Sequence, residues 1–545
     1  MNGPQHSQTV VDYHQRTKHR LEAYAAGPGG LDWDAQPEPF RWFDGAEKID
    51  LPMPGDGILR PFAELYRPEQ AGPAWAVFDR LAALLERSLG LSAWKGYGSH
   101  RWPLRCNPSS GNLHPTEAYV VTGGMEGLSS GVYHYLSRDH QLERRCDLHP
   151  DIAPAAIGHD RFLIGLSSVH WREAWKYGER AYRYCQHDCG HAIAALRYAA
   201  AALGWTVRLL APWGDADIAA LLGLSRSEDF GGAERETPDV LLWLCPAGTM
   251  AEEPTPDAVL AAIDPRSWQG MANPLSAEHD WDWPVIETVS QACERPRGSS
   301  TASQAWVPSA RPEPLPTDCR RSAAAIFAQR RSAQHFDPRV GITAAQFYRM
   351  LDMTLPRAGV APWDSLPWSP RIHLVLFVHR VAGLRPGLYL LVRDLAKEPA
   401  LRRQFGRAEF HWRPVADSPA HLPLHSLVFA NCQRTAATLS CHQAIAGDSA
   451  FALAMLAEFD ATLAHGPWGY RELFWEAGML GQVLYLEAEA AGVRGTGIGC
   501  YFDDVTHDLL GIHGTDWQSL YHFTVGGALV DQRIESFPPY GHLSR

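Results

Sequence analysis

No uninterrupted apolar stretch in this chain is long enough to span a bilayer. Its first twenty residues, MNGPQHSQTVVDYHQRTKHR, lack the apolar centre of a secretory signal. Both absences predict a cytoplasmic protein that does not enter membranes. There is no basic run either. Lys and Arg number 49 against 61 Asp and Glu, a net charge of −12, which argues against nucleic acid and anionic lipid as partners. The ten cysteines are scattered along the sequence, as expected of reduced thiols rather than a disulfide framework. Cys185, His187, Cys189 and His191 alternate, but fitting zinc spacings are CxxC or HxxxH. On a helix Cys185 and Cys189 share a face that His187 does not, so no metal is expected. What is present is ordinary globular material, 46% hydrophobic and 20% charged. At 545 residues it is too long for one core and predicts at least two domains.

Residues 1–60 are polar and rich in Gly, Pro and Trp, and read as an extended arm. From Trp75 to Leu91 apolar residues recur at helical spacing and stop at Gly90. Strands are predicted at Glu117–Thr122, from Gly131, at Phe162–Val169, at Thr206–Leu210 and at 240–245. An Ala-rich helix runs from about Tyr184 to Leu203 and is stopped by Gly204. Its small residues, among them Gly190 and Ala194, leave room for a second helix to approach. Between 285 and 318 the composition shifts to Pro, Ser, Thr, Gln and Arg, the signature of a linker.

The second half repeats the first. Gly190 and Gly204 bracket one Ala-rich helix, and Gly478 and Gly492 bracket another at the same separation. Asp215 and Leu221-Leu222-Gly223-Leu224 are matched by Asp503 and Leu509-Leu510-Gly511-Ile512, all at an offset of 288. Gly131-Val132-Tyr133 is matched by Gly387-Leu388-Tyr389. Ordered matches of this kind predict a duplicated domain: module one at 61–284 and module two at 319–545.

The chain is organised around Cys106-Asn107-Pro108-Ser109-Ser110-Gly111-Asn112-Leu113-His114-Pro115, a tight polar loop entering a strand. Arg101 and Arg105 stand just upstream and make an anion plausible nearby. The loop resembles the PSSGN.HP loop of the nitroreductase-like flavoenzymes, and is most similar to the SagB/ThcOx-type dehydrogenases that oxidise azoline rings in peptides. The resemblance implies an α+β fold in each half, a central antiparallel or mixed sheet flanked by helices. It implies that the tandem copies form an intrachain pseudo-dimer, compatible with a monomeric chain. It also implies FMN as cofactor, contacted by Arg101, Arg105, Asn107, Pro108, Ser109, Ser110, Gly111 and Asn112.

Module two opens with Arg330-Arg331-Ser332-Ala333-Gln334-His335-Phe336. This resembles the family's RRSxRxF opening, whose Arg and Ser hold the FMN phosphate and ribityl chain; it departs at Gln334 and His335. Module one has Glu64-Leu65-Tyr66-Arg67-Pro68 there, and module two has Asp364–Pro370 in place of the Ser/Asn loop. Each module keeps one half of a composite site, so one competent and one vestigial site are expected. Gly497, Ile498 and Gly499 resemble the family's late segment along the isoalloxazine ring. Lys176 and Tyr177 look like the Lys-Tyr pair of azoline oxidases, which implies a role as acid and base. Module two has Ala464-His465 at the matching place.

The function expected is FMN-dependent dehydrogenation of a small heterocycle or a modified-peptide azoline, with a cyclodehydratase as partner. Two alternatives stand beside it: an NAD(P)H-dependent nitro or quinone reductase, and a catalytically inactive flavin-binding or scaffold subunit.

Overall fold

The computed structural model describes residues 3–67, 71–249, 251–299 and 306–543. The first sheet is built from β1 (Thr116–Thr122), β2 (Gly131–Leu136), β3 (Gln141–Asp147), β4 (Phe162–Ser168), β5 (Trp205–Leu209) and β6 (Thr237–Pro246). The strands lie in the order β3-β2-β1-β4-β6-β5, with Lys48–Asp50 added beyond β3. The second sheet is built from β7 (Ile372–Val378), β8 (Gly387–Leu391), β9 (Leu424–Phe429), β10 (Phe451–Glu458), β11 (Arg494–Ile498) and β12 (Trp517–Gly526). Its order is β9-β8-β7-β10-β12-β11, with Arg413–Pro414 beyond β9. The same sequence of crossovers is therefore written twice, and every pairing in both sheets is antiparallel.

The helices keep the spacing of the repeat. The first long helix is Ala181–Ala202 and the second is Gly469–Ala490, each of 22 residues. Short helices Asp215–Leu222 and Asp503–Leu510 follow, each ended by a left-handed glycine, Gly223 and Gly511. Glycine reaches that conformation without the steric cost of a Cβ.

The two long helices cross at Gly190 and Gly478. A Cβ on Gly190 would stand 2.2 Å from the Trp475 carbonyl oxygen, and one on Gly478 would stand 2.1 Å from that of His187. Gly190 and Gly478 occupy equivalent positions in the repeat, and so do His187 and Trp475. Each module thus touches the other with the same residue positions, the geometry of a twofold interface. The modules are also interlaced. Glu535–Phe537, at the end of module two, pairs with Leu91–Tyr97, which forms a hairpin with His100–Arg105 in module one.

Two stretches differ from expectation. The arm read as extended begins with a helix, Gly3–Arg16. Its Val10, Tyr13 and His14 are buried, and Tyr13 packs edge-on against Tyr182 and Tyr470 at 6.0 and 6.2 Å. The helix is hidden in sequence because its apolar partners lie in the two modules rather than in the segment itself. The linker starts later than composition indicates. Pro284–Ala292 is a helix with Ile286 and Val289 buried, and residues 300–305 of the linker lie outside the described residues. Among the described residues no helix is long and apolar enough to cross a membrane.

Candidate functional site

A cavity of about 440 Å³ opens between the modules. Module one lines it with Asn107–Asn112, and module two with Arg330–Gln334 and with β11 and its continuation to Cys500. The two segments that the sequence assigns to one composite site therefore face the same space.

The loop shapes itself. Gly111, Asn112 and His114 all have left-handed φ, at 58°, 61° and 55°. Ser109 Oγ accepts the His114 N–H at 2.8 Å. Ser110 donates through both N–H and Oγ to Asp188 at 3.0 Å. Asn112 Nδ2 donates to the Pro103 carbonyl at 2.9 Å, and its Oδ1 meets His114 Nε2 at 3.0 Å. These side chains are occupied in holding the turn, whereas Asn107 Oδ1 is buried without a partner. The far end is anchored by Arg172, which donates to the His114 carbonyl at 2.7 Å and pairs with buried Glu117.

Glu117 also meets His134 at 3.3 Å, and Glu143 meets that ring at 2.9 Å. Burial pulls His134 down, but the two carboxylates outweigh it and hold its pKa up at about 9. A group raised in the folded state contributes stability that is complete below its unfolded pKa and is lost as pH rises through the folded value. The midpoint of thermal unfolding is accordingly expected to fall between pH 7 and pH 10, and a His134→Gln variant should lose part of that slope. An unchanged slope in the variant would remove His134 as its source.

From module two, Arg330 reaches across. Its Nε donates to the Cys106 carbonyl and a terminal nitrogen to the Arg105 carbonyl, both at 2.9 Å. Arg331 holds Ser92 through its hydroxyl and carbonyl, both at 3.1 Å. Among the described residues no carboxylate pairs with Arg105, Arg330, Arg331 or Arg494, although all four line the cavity. Burial lowers both; repulsion from Arg330 and Arg494 helps pull Arg331 down to about 10, and repulsion from Arg494 adds at Arg330. Ser332 Oγ shares a hydrogen bond with Tyr485 Oη at 2.9 Å, and that oxygen accepts the Gly497 N–H at 2.8 Å.

Along β11 and just past its end, alternate glycines make room for rings. A Cβ on Gly497 would stand 1.8 Å from Tyr521 Oη, and one on Gly499 would stand 2.0 Å from the Tyr184 ring. The wall beside Ile498 is therefore flat backbone set against aromatic rings, a slot suited to a planar group.

Lys176 and Tyr177 close on Gly111. A Cβ there would meet Tyr177 Oη at 2.6 Å and Lys176 Nζ at 3.2 Å. Tyr177 lines the cavity, and Lys176 sits 5.5 Å from the Trp33 ring centroid. Burial lowers the Lys176 pKa, opposed by Glu173. Glu173 is itself fully buried, and neither of its oxygens has a partner. Burial, reinforced by Asp188 and opposed by Lys176, pushes its carboxyl well above the usual range.

Not every predicted residue belongs here. Arg101 is exposed and stacks on Phe537 at 4.2 Å, outside the cavity. Arg105 lines the cavity, but its guanidinium donates to the carbonyls of Thr116 and Pro39, at 3.3 and 2.6 Å. Glu173, Asp188, Tyr184, Tyr485, Arg494 and Tyr521 were missed. One signal was available, since Glu173 precedes Lys176 by three and so shares its helix face.

The pseudosymmetric position is built from different residues. Arg197, the counterpart of Tyr485 in the repeat, forks onto Asp364 at 2.8 and 2.7 Å. Asp364 opens the segment that replaces the Ser/Asn loop, and β5 carries no glycine where β11 carries two.

Residues 327–527 match the Nitroreductase family. A putative nitroreductase from Anabaena variabilis, known from its crystal structure, aligns with 96% of this chain and 99% of its own at a TM-score of 0.64 and 23% identity. Trifolitoxin-processing protein TfxB of Rhizobium leguminosarum bv. trifolii is 35% identical over 109 residues, 18% of this chain and 29% of that protein. Putative nitroreductase MJ1384 of Methanocaldococcus jannaschii is 29% identical over 104 residues, 18% of this chain and 52% of that protein. The chain thus spans about a third and about a half of the curated relatives it matches. Its fold is nitroreductase-like throughout, and its second module carries a nitroreductase-family domain.

Proposed function

We propose that the chain is an FMN-dependent oxidoreductase of SagB/ThcOx type that dehydrogenates a small heterocycle or a peptide azoline. The observation that carries this reading is the cavity itself. One side gathers arginines that lack carboxylates, and an anion such as a phosphate would satisfy them. The other side is a glycine strand set among tyrosine rings. The donor set therefore fits a planar ring on a phosphate tail. Arg331 and Arg494 would hold the phosphate, Ser332 and Asn107 the polar chain, and the Gly497–Gly499 backbone the ring edge. Bound there, FMN supplies a hydride acceptor.

The chain's own part is the proton. Lys176, with its pKa lowered by burial, takes a proton from the substrate carbon through Tyr177 Oη. Burial, the larger effect on Lys176, favours its basic form, and Glu173 only partly opposes it. Removing a proton from a ring carbon while hydride departs is the step that an azoline-to-azole conversion requires. The relative named for trifolitoxin processing supports a peptide substrate. A substrate of that kind arises by cyclodehydration, which makes a cyclodehydratase the natural partner.

The protein is expected to purify yellow and to release FMN on denaturation. Arg494 forms no ion pair among the described residues, so its removal tests the phosphate contact without disturbing a fold contact. Arg494→Ala should weaken FMN by about 10- to 100-fold, the span of one charge-assisted hydrogen bond, at unchanged melting of the flavin-free protein. The reaction class is tested anaerobically. Bleaching of the flavin by an azoline peptide and not by NADPH supports the dehydrogenase; rapid bleaching by NADPH alone supports the nitro or quinone reductase. A colourless protein whose melting is indifferent to FMN would leave a scaffold subunit.

A further inference from the structure

Eight of the ten cysteines are buried, and only Cys441 and Cys500 are partly exposed. The fold brings these two together from distant parts of module two. The Phe502 N–H donates to the Leu439 carbonyl at 2.8 Å, and Gln443 Nε2 donates to the Cys500 carbonyl at 3.1 Å. These bonds stitch the two segments on either side of the thiols. Cys441 and His442 both adopt left-handed φ, 53° and 61°. That conformation is sterically unfavourable for a non-glycine residue and persists only where the surroundings impose it.

The stitch also gathers Tyr24 and His19 beside the thiols: His19 bridges to Phe502, the Tyr24 ring lies 5.0 Å from His19 and 5.8 Å from Phe502, and the His442 ring lies 5.4 Å from Phe502. His19 Nδ1 accepts the Ala25 N–H at 3.0 Å. The ring proton is therefore on Nε2, where it can be donated to the Cys500 sulfur. The Arg180 guanidinium donates to the neighbouring Gly499 carbonyl at 3.2 Å. Cys500 lines the cavity, so a small molecule entering that space can reach it.

We propose that Cys500 and Cys441 form a dithiol–disulfide redox pair at the cavity edge, with low-molecular-weight disulfides of the glutathione class as the oxidising substrate. The Cys500 thiolate attacks one sulfur of the small disulfide. Its S–S bond breaks, one thiolate leaves, and a mixed disulfide forms on Cys500. Cys441 then gives up its proton to a departing thiolate and attacks the Cys500 sulfur. The Cys441–Cys500 bond forms and the second small thiol is released. Two protein thiols are oxidised by two electrons, and one disulfide is reduced to two thiols.

The electrostatics agree with this division of labour. The Cys500 thiol is pulled below the usual range, first by the hydrogen bond with Cys441 and then by His19 and Arg180, against burial. The same bond pushes Cys441 up. A low-pKa attacking thiol beside a protonated resolving thiol is the arrangement that exchange chemistry uses. The pair owes nothing to the flavin reading, and its test does not involve turnover.

The experiment uses the full chain as purified, reduced and then freed of reductant. It is incubated with oxidised glutathione, quenched in acid, alkylated and mapped by mass spectrometry. A peptide cross-linked between Cys441 and Cys500 is expected, with the eight buried thiols alkylated as in the untreated protein. Cys441→Ser should trap glutathione on Cys500, and Cys500→Ser should slow modification of Cys441 by at least about tenfold. Should either variant fail to fold, the order of alkylation in the unaltered protein decides, with Cys500 expected to react first. No cross-link in excess oxidised glutathione, or a Cys441 as reactive without Cys500 as with it, would overturn the proposal.

Discussion

A Gly478→Ala variant is expected to lose about 3 kcal/mol of stability, the upper part of the range for overpacking a tight interior. The added methyl would stand 2.1 Å from the His187 carbonyl oxygen, a backbone atom of the opposite helix. A flexible side chain could swing away, but a helix carbonyl moves only with its helix. Both helices are buried along almost their whole length, so separating them opens the packing on every side. Gly190→Ala should cost a similar amount, because it meets the counterpart carbonyl of Trp475 at 2.2 Å. The double variant should cost clearly less than the sum, since helices forced apart by one methyl already have room for the second. Gly232→Ala serves as the control, having no atom within 4 Å of its added carbon and an expected change within about 0.5 kcal/mol. Urea unfolding measures all four variants. A neutral Gly478→Ala, or strict additivity, would mean that the crossing is looser than the backbone contact requires.

That crossing was legible in the sequence because a repeat carries its own register. Gly190 and Gly478 are marked by the constant offset before any contact is known, and the small residues around Gly190 leave room for a second helix; that the two glycines meet each other is shown only by the fold. The cavity was half legible for a related reason. Cys106–Pro115 and Arg330–Ser332 each stand out as local patterns, and the repeat shows that each module keeps only one. Tertiary partners could not be read in the same way. Arg101 stands next to the loop in sequence, but strand alternation turns it toward Phe537, which arrives from the far end of the chain. The Gly3–Arg16 helix buries its apolar residues against aromatic rings of both modules, so nothing within it announces the burial. Cys441 and Cys500 are unremarkable singly and become a pair only through one backbone and one side-chain hydrogen bond between their segments. Tyr485 looks like an ordinary helix residue until the Gly497 N–H is seen to point at it. In each case the missing information is which distant segment faces the residue, and local pattern does not encode that.

Lys176→Ala is expected to keep its flavin and to lower kcat by about 10²- to 10⁴-fold, the usual contribution of a positioned base. Flavin should be retained because Lys176 lies outside the cavity lining and touches it only through Gly111 and Tyr177. The sign of the pH dependence follows from its role. A lysine base works in its neutral form, so kcat should rise with pH through a value below that of a free lysine, as burial dictates. Removing the amine should abolish that rise as well as the rate, which separates a base from a side chain that merely supports the loop. Glu173→Gln sharpens the distinction. The amide copies a protonated carboxyl, the form that burial favours, so it should leave the rising limb where it is. Were Glu173 ionised instead, losing its charge would make the ammonium form of Lys176 less favourable and shift the limb to lower pH. A Lys176→Ala enzyme with full turnover would take the lysine out of the mechanism and leave Tyr177 as the group in reach of the substrate.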